Sequence, residues 1–169
     1  MNTVFLSLGS SLGNRELYIK KALYLINRQI GKIIKTSHLY QTEPWGFEDK
    51  NLFLNQVIQI ETGYSPIKIL EKIHKIELKL ERVKNSLNYE ARTIDIDILF
   101  FNYQIYNSEK LQIPHKHLHN RKFVLVPLNE IAPYFTHPVI KKYTCQLLQI
   151  CEDNLMITKF SKISEFEQI

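Results

Sequence analysis

Residues 94–101, IDIDILFF, fit a strand only if the two faces of its sheet meet different surroundings. Successive side chains in a strand point to opposite faces. Ile94, Ile96, Ile98 and Phe100 then share an apolar face. Thr93, Asp95 and Asp97 share the other, which turns apolar again at Leu99 and Phe101. Aspartate is depleted in strands, and these two like charges lie roughly 6.6 Å apart, at about 3.3 Å of rise per residue. A sheet with helices on one face accommodates the pattern: the isoleucines meet the helices and the carboxylates look outward, free of a burial penalty. On these residues alone two readings stay open. One is a solvated sheet face. The other is a hard-cation site, because Mg²⁺ takes one or two carboxylates together with substrate phosphates and water.

The rest of the chain supplies such a sheet. VFLSLGS (4–10) reads as a first strand, with Gly9 and Gly13 bracketing a turn and Asn14 capping the next helix. Ile19, Ala22, Leu23, Ile26 and Ile30 recur at helical spacing until Gly31. IIKTSHLYQT (33–42) reads as a second strand, TEPWGFEDKN (42–51) as a loop, and LFLNQVIQIET (52–62) as a third strand. Ser65 and Pro66 open a second helix at its cap and first position, with a stripe of Ile69, Leu70, Ile73, Ile76 and Leu80. Residues 94–101 are the fourth strand. Residues 102–120 read as loop with short extended pieces. KFVLVPL (122–128) is apolar, but Pro127 makes it a poor central strand. TCQLLQIC (144–151) reads as a short amphipathic helix, and MITKF (156–160) as a late edge strand. The order β-α-β-β-α-β plus C-terminal additions is an α+β, ferredoxin-like arrangement: an antiparallel sheet with helices on one face, in one domain over residues 1–169.

Composition bounds the function classes. A chain of 169 residues, 44% hydrophobic and 23% charged, suits an ordinary globular domain. A net charge of +5 favours an anionic partner without choosing it. Cys145 and Cys151 are the only cysteines, which is no disulfide framework and fits a reducing cytosol. MNTVFLSLGSS lacks the basic and long apolar parts of a signal peptide, and no run approaches a membrane span. The expectation is a cytoplasmic protein with no membrane partner.

Further residues gather chemistry around the acidic strand. Glu77 falls on the apolar stripe of the second helix, so its carboxylate either snorkels to water or anchors an arginine of a site. Arg82, Lys84, Arg92, Lys110 and Arg121, taken with the two aspartates, suggest phosphoryl transfer, in which a metal and cations neutralise phosphate charge. His115, His117 and His119 alternate. A Zn²⁺ site would need tetrahedral geometry from them, and the favoured use is one histidine bonded to a phosphate. Phe53 and Asn55 share a strand face, pairing a flat ring with an amide that suits a planar heterocycle.

These pieces, in this order, resemble the 6-hydroxymethyl-7,8-dihydropterin pyrophosphokinase family. The resemblance runs from FLSLGSSLGNR (5–15) to PLNEIAP (127–133). Its most specific parts are TEPWG with FLN (42–46, 53–55), IELKLERV (76–83), ARTIDIDIL (91–99), and IPH followed by NRKFVLVPL (113–115, 120–128). It implies transfer of pyrophosphate from ATP to the pterin hydroxymethyl group, in folate biosynthesis. Asp95 and Asp97 would hold two Mg²⁺ ions. Thr42, Pro44, Trp45, Phe53, Asn55 and Phe123 would form the pterin site, with Phe53 and Phe123 sandwiching the ring. Glu77, Arg82, Arg92, Ile98, Lys110, Leu111, Gln112, His115 and Arg121 would line the nucleotide side, and Arg82 and Arg92 would also serve the transfer itself. A monomer is expected. The chain departs from the family pattern at Asn88 and Glu90, where a basic residue and a glycine are usual. It also departs at Tyr89, Lys84, Lys110 and Ser11.

Two rival classes share some features. An RRM-like RNA-binding module has the same element order and a basic charge. Asp95 and Asp97 would repel nucleic-acid phosphates, however, and the aromatic RNP run is absent from the sequence. The other rival is a metal-dependent hydrolase using the D-x-D and the histidines. The expectation is therefore small-molecule substrates, ATP and 6-hydroxymethyl-7,8-dihydropterin, and no nucleic acid.

Overall fold

A computed structural model describes residues 1–46, 50–80 and 92–161. The chain runs β1 (Asn2–Ser10), α1 (Arg15–Gln29), β2 (Lys32–Thr36), β3 (Leu39–Thr42), β4 (Phe53–Thr62), α2 (Pro66–Lys79) and β5 (Asp95–Phe101). There follow a small hairpin of β6 (Tyr106–Asn107) and β7 (Gln112–Ile113), then α3 (Lys122–Ile131), α4 (Thr144–Gln149) and β8 (Ile157–Ser161). The main sheet has the order β5-β1-β4-β3-β8, with β2 also on β4, and every pairing is antiparallel. The expected β-α-β-β-α-β core is present, and β8 is the late edge strand. No helix among the described residues is long and apolar enough to cross a membrane.

Both core helices start where the sequence caps them. The Asn14 side chain accepts from the Leu17 N–H at 3.0 Å, and the Ser65 hydroxyl accepts from the Lys68 N–H. Their apolar stripes, including Ile19, Ala22, Ile26, Ile69, Ile73 and Ile76, bury against Leu6, Leu8, Ile58, Ile60, Ile96 and Ile98 of the sheet. Each such side chain contributes about 1.5–3 kcal/mol through burial.

The structure differs from the sequence reading in four places. The expected strand 33–42 is two strands, broken at Ser37. There the Ser37 N–H and hydroxyl bond Val57, and the Ser37 carbonyl accepts from the Gln56 amide at 2.8 Å, displacing regular ladder pairing. Gly9, read as a turn former, lies within β1; the turn is made at Gly13, with φ +63°. The alternation in β5 also breaks. Phe5 pairs Phe100 and Leu6 pairs Ile98, so Leu99 is an extra residue and the strand bulges. Ile94, Ile96, Ile98 and Phe101 therefore face α1 and α2, and Leu99 and Phe100 face the opposite side.

The fourth difference is α3. The stretch from 122 is a helix, because Val124, Leu125, Leu128 and Ile131 fall on one stripe and bury against Phe5, Val57, Leu99 and Phe100. Pro127 removes one internal N–H, and this packing outweighs it. The C-terminal additions thus cover part of the face opposite the two core helices. At the far end of α3, the Glu130 carboxylate accepts from the His38 N–H at 3.0 Å and the Tyr40 hydroxyl at 2.8 Å, tying the helix to β3. Burial and Glu130 push the Tyr40 hydroxyl up to about 12.

His137 closes the turn after α3. It is 4% exposed, its Nδ1 accepts from the Val139 and Ile140 N–H groups, and its ring meets Phe100 edge-on. Burial, then His119, lowers it to about 4 from an ordinary 6.5. The unfolded chain therefore binds this proton first as pH falls. The stability contributed by neutral His137 is complete above about 6.5 and is lost progressively toward 4. Asp97 titrates in the opposite sense, so the test is a comparison: the advantage of the parent over His137→Asn in urea midpoint is expected to shrink between pH 7 and pH 5. An equal advantage at both values would refute the role.

Candidate active site

The acidic strand is the edge of the sheet, so alternate backbone groups of β5 have no strand partner. Two elements supply the missing partners. Glu77, 2% exposed on α2, accepts the Ile96 N–H at 2.9 Å through Oε1. His115 donates its N–H to the Leu99 carbonyl at 3.0 Å. Glu77 thus anchors the backbone between Asp95 and Asp97, where the sequence left a choice between snorkelling and holding an arginine.

Across the strands, Asp95 stands opposite Gly9, Gly9 opposite Asn55, and Asn55 opposite Tyr40. Gly9 leaves this row open, since a β-carbon there would come 3.2 Å from Asn55 Oδ1 and 3.9 Å from the Phe53 ring. Asn55 is 3% exposed and donates its amide to the Thr42 hydroxyl at 2.8 Å, leaving its oxygen toward Gly9. Asp97 stands opposite Ser7 in the next row.

Around this floor is a cleft of about 300 Å³. Of the residues singled out in the sequence, it brings together Thr42, Trp45, Phe53, Asn55, Glu77, Arg92, Asp95, Asp97, His115, Arg121 and Phe123. Arg121, 5% exposed, places its guanidinium 4.6 Å from the Trp45 ring centre and 5.7 Å from that of Phe123. Arg92 donates to Asp95 Oδ2 at 2.7 Å. The Arg92 backbone is clipped to the first loop: its N–H donates to the Ser11 hydroxyl at 3.0 Å, and its carbonyl accepts from the Ser11 and Leu12 N–H groups. Ser11, a departure from the family pattern, makes this clip with its short hydroxyl.

The electrostatics correct one expectation. The aspartates keep 24% and 38% of their side-chain surface, Asp95 and Asp97 respectively, yet the second is not free of a burial penalty. Burial first, and the neighbouring Asp95 second, push Asp97 up to about 7. His115 Nε2 lies 3.8 Å from Asp97 Oδ2. Its Nδ1 accepts from the His117 N–H, and burial followed by Arg121 lowers the ring to about 4. His115 is therefore neutral at pH 7, with its proton on the nitrogen that faces Asp97. Two crowded carboxylates, one held near neutrality by its surroundings, are a donor set that a hard divalent cation suits.

Other expected residues lie elsewhere. The Ile98 side chain is 4% exposed in the core below α1 and α2, and Leu111 is buried there too. Ile98 lies on the apolar inner face of the edge strand, and Leu111, just before β7, packs into the same core. Lys110 and Gln112 are exposed at the β6–β7 hairpin, and Pro44 flanks the cleft without lining it. Of the three histidines, His115 faces the cleft and meets the His117 ring edge-on, His117 also meets Trp45, and His119 turns away to His137. Arg82, Lys84, Asn88, Tyr89 and Glu90 lie outside the described residues. The cleft also includes Ser7, Gly9, Glu43, Leu70, His74 and Ile96. Leu70 and His74 were findable, because with Glu77 they follow one face of α2.

An antiparallel α+β sheet that opens paired carboxylates into a cleft lined by arginines and aromatic rings suits a phosphate-transferring enzyme. Comparison with known proteins is specific. Residues 5–133 match the family model of 7,8-dihydro-6-hydroxymethylpterin-pyrophosphokinase, and the chain belongs to that family. It is 38% identical over 132 residues to the 2-amino-4-hydroxy-6-hydroxymethyldihydropteridine pyrophosphokinase of Bacillus subtilis (strain 168), covering 78% of each chain. It is 40% identical over 141 residues to the enzyme of the same name from Porphyromonas gingivalis, covering 82% of this chain and 95% of that one. Among solved structures, wild-type Plasmodium falciparum HPPK-DHPS with pteroate superimposes with a TM-score of 0.74 at 20% identity. That match covers 88% of this chain and 44% of the longer one, and it shows the fold.

Proposed function

We propose that this chain transfers the pyrophosphoryl group of ATP to the hydroxymethyl group of 6-hydroxymethyl-7,8-dihydropterin, releasing AMP. The observation that carries the reading is the row Asp95–Gly9–Asn55, in a chain of this family. It puts the Asn55 amide and the Asp95 carboxylate on either side of Gly9, in a cleft that Phe53, Phe123, Arg92, Arg121 and His115 also line. In the transfer, the pterin hydroxyl oxygen bonds the β-phosphorus and loses its proton. The bond from that phosphorus to the α,β-bridging oxygen breaks, and AMP leaves. The protein's part is alignment and charge neutralisation rather than covalent chemistry.

Phe53 and Phe123 hold the bicyclic ring by stacking, and Asn55 Oδ1 accepts from its N–H edge. Thr42 fixes the orientation of that amide. Asp95 and Asp97 would hold Mg²⁺, which would supply neutralisation of the phosphate charge when bound. Arg121, steadied between Trp45 and Phe123, faces the phosphates with a rigid fork of donors. Arg92 orients Asp95 and lends a second cation. Neutral His115 donates a hydrogen bond from Nε2 without adding charge. Ile98 and Leu111 have only backbone groups to offer the nucleotide.

The test is product analysis with Mg²⁺–ATP, with and without the pterin. AMP and a pterin pyrophosphate are expected together, only when both substrates are present, and activity is expected to vanish with EDTA and return with Mg²⁺. ADP as product would mean transfer of a single phosphoryl group. AMP and free pyrophosphate without pterin would mean a hydrolase. Either result would overturn the reading.

A further inference from the structure

We propose that Asp153 is a positioning residue for this site, holding Arg121 and Phe123 in place from a segment beyond the family-matched residues 5–133. The first turn of a helix leaves N–H groups without internal partners, and a side-chain oxygen at the cap normally satisfies one. At α3 the cap position is Arg121, which makes no side-chain cap bond. Its side chain points into the cleft instead, against Trp45. The helix therefore begins with an N–H that needs an acceptor from elsewhere.

Asp153 is that acceptor. Its Oδ2 takes the Lys122 N–H at 2.8 Å, and its Oδ1 takes the Leu155 N–H at 3.0 Å. The carboxylate is thus gripped at both oxygens. It fixes the Arg121–Lys122 peptide, next to both Arg121 and Phe123, the two residues of this turn that line the cleft. Its negative charge also complements the positive end of α3. The ring contacts steady the guanidinium of Arg121, and Asp153 steadies the backbone from which both side chains project. The pterin wall is then aligned partly by a residue that never touches substrate. The kinetic consequence rests on the function proposed above; the geometric one does not.

Trp45 is the single tryptophan of the chain and stacks on Arg121, so it reports the geometry directly. The experiment compares parent, Asp153→Ala and Asp153→Asn well below their unfolding midpoints. Acrylamide quenching of Trp45 is read beside KM for the pterin and kcat. In Asp153→Ala, Trp45 is expected to become more quenchable and KM for the pterin to rise about fivefold, the change expected if a loss the size of one cap bond is felt in pterin binding. Asp153→Asn keeps an acceptor oxygen and is expected to restore both readings. A lower unfolding midpoint in Asp153→Ala, with parent-like quenching and KM, would reduce Asp153 to a plain helix cap and overturn the proposal. Asparagine behaving like alanine would overturn it too. Should Asp153→Ala not fold, Asp153→Glu displaces the same carboxylate, and a parent-like Trp45 in that variant would count against the proposal. A parent protein that forms no pterin pyrophosphate, but whose Trp45 responds as described, would overturn the function and uphold the positioning.

Discussion

Asp97→Ala is expected to lower kcat by about a thousandfold or more while the protein stays folded. A metal that neutralises phosphate charge contributes several kcal/mol to the transition state, and each 1.36 kcal/mol is about tenfold in rate. On the proposed function Asp97 would stand at the centre of that chemistry, on a strand, between His115 and the Arg92-bound Asp95. Alanine removes a carboxylate that no neighbour on β5 can replace, since the adjacent residues on its face are Asp95 and Leu99. Stability should move the other way. The folded protein holds Asp97 up at about 7 against an ordinary 3.8. Its ionised form therefore weighs against folding, increasingly so as pH rises from about 4 through 7 and fully above that. Removing it is expected to leave the melting temperature unchanged or raise it at pH 8. Asp95→Ala is expected to lose activity similarly, but it also removes the Arg92–Asp95 ion pair and so should not gain stability. Steady-state rates at saturating Mg²⁺, read beside melting curves, check both variants. Full activity in either would refute the metal assignment.

Phe123→Ala is expected to weaken pterin binding by roughly tenfold to a hundredfold, taking about 1–3 kcal/mol per stacked base as the nearest analogue for a stacked bicyclic ring. The ring of Phe123 projects from the first turn of α3 into the cleft, and Phe53 approaches Gly9 from β4. Truncation at 123 removes one wall but leaves Arg121 its closer aromatic partner, Trp45, at 4.6 Å. Affinity for an ATP analogue is therefore expected to stay within about threefold, less than one weakened hydrogen bond. Phe53→Tyr keeps a ring and should be nearly neutral. Asn55→Ala should weaken pterin binding by about 1–3 kcal/mol, because it leaves a polar edge of the ligand unpaired. Calorimetry with the ATP analogue and with 6-hydroxymethylpterin, on the same variants, separates the two sides of the cleft. If Phe123→Ala lost the nucleotide and kept the pterin, the sides would be reversed.

Much of this was legible in the chain itself. Caps at Asn14 and Ser65 and the stripes of α1 and α2 each had a local cause, so the core order followed from spacing; the carboxylates among isoleucines stood out in the same way, and their expected metal role came with the family resemblance. Glu77 stood out because a carboxylate on an apolar stripe needs an explanation. What stayed hidden depended on distant partners. Leu99, Phe100 and Phe101 are all apolar, so no pattern in that run could show the bulge that sends two of them to one side and one to the other. Pro127 argued against a strand without arguing for a helix. The choice was made by Phe5, Val57 and Leu99, a surface that exists only after the sheet forms. Ile98 and Leu111 came with the family resemblance, and their burial leaves main-chain groups as their only route to a ligand.

The partnering of the β5 edge has a consequence for how damage to this protein would show itself. An uncovered edge is a template for joining another chain, and folded proteins block it. Here Glu77 and the backbone of His115 block the edge of the strand that carries Asp95 and Asp97. Shielding from aggregation and catalytic alignment are therefore the same contacts. Substitutions at Glu77 should surface first as poor yield of soluble protein in the cell, before any purified sample reveals a slow enzyme.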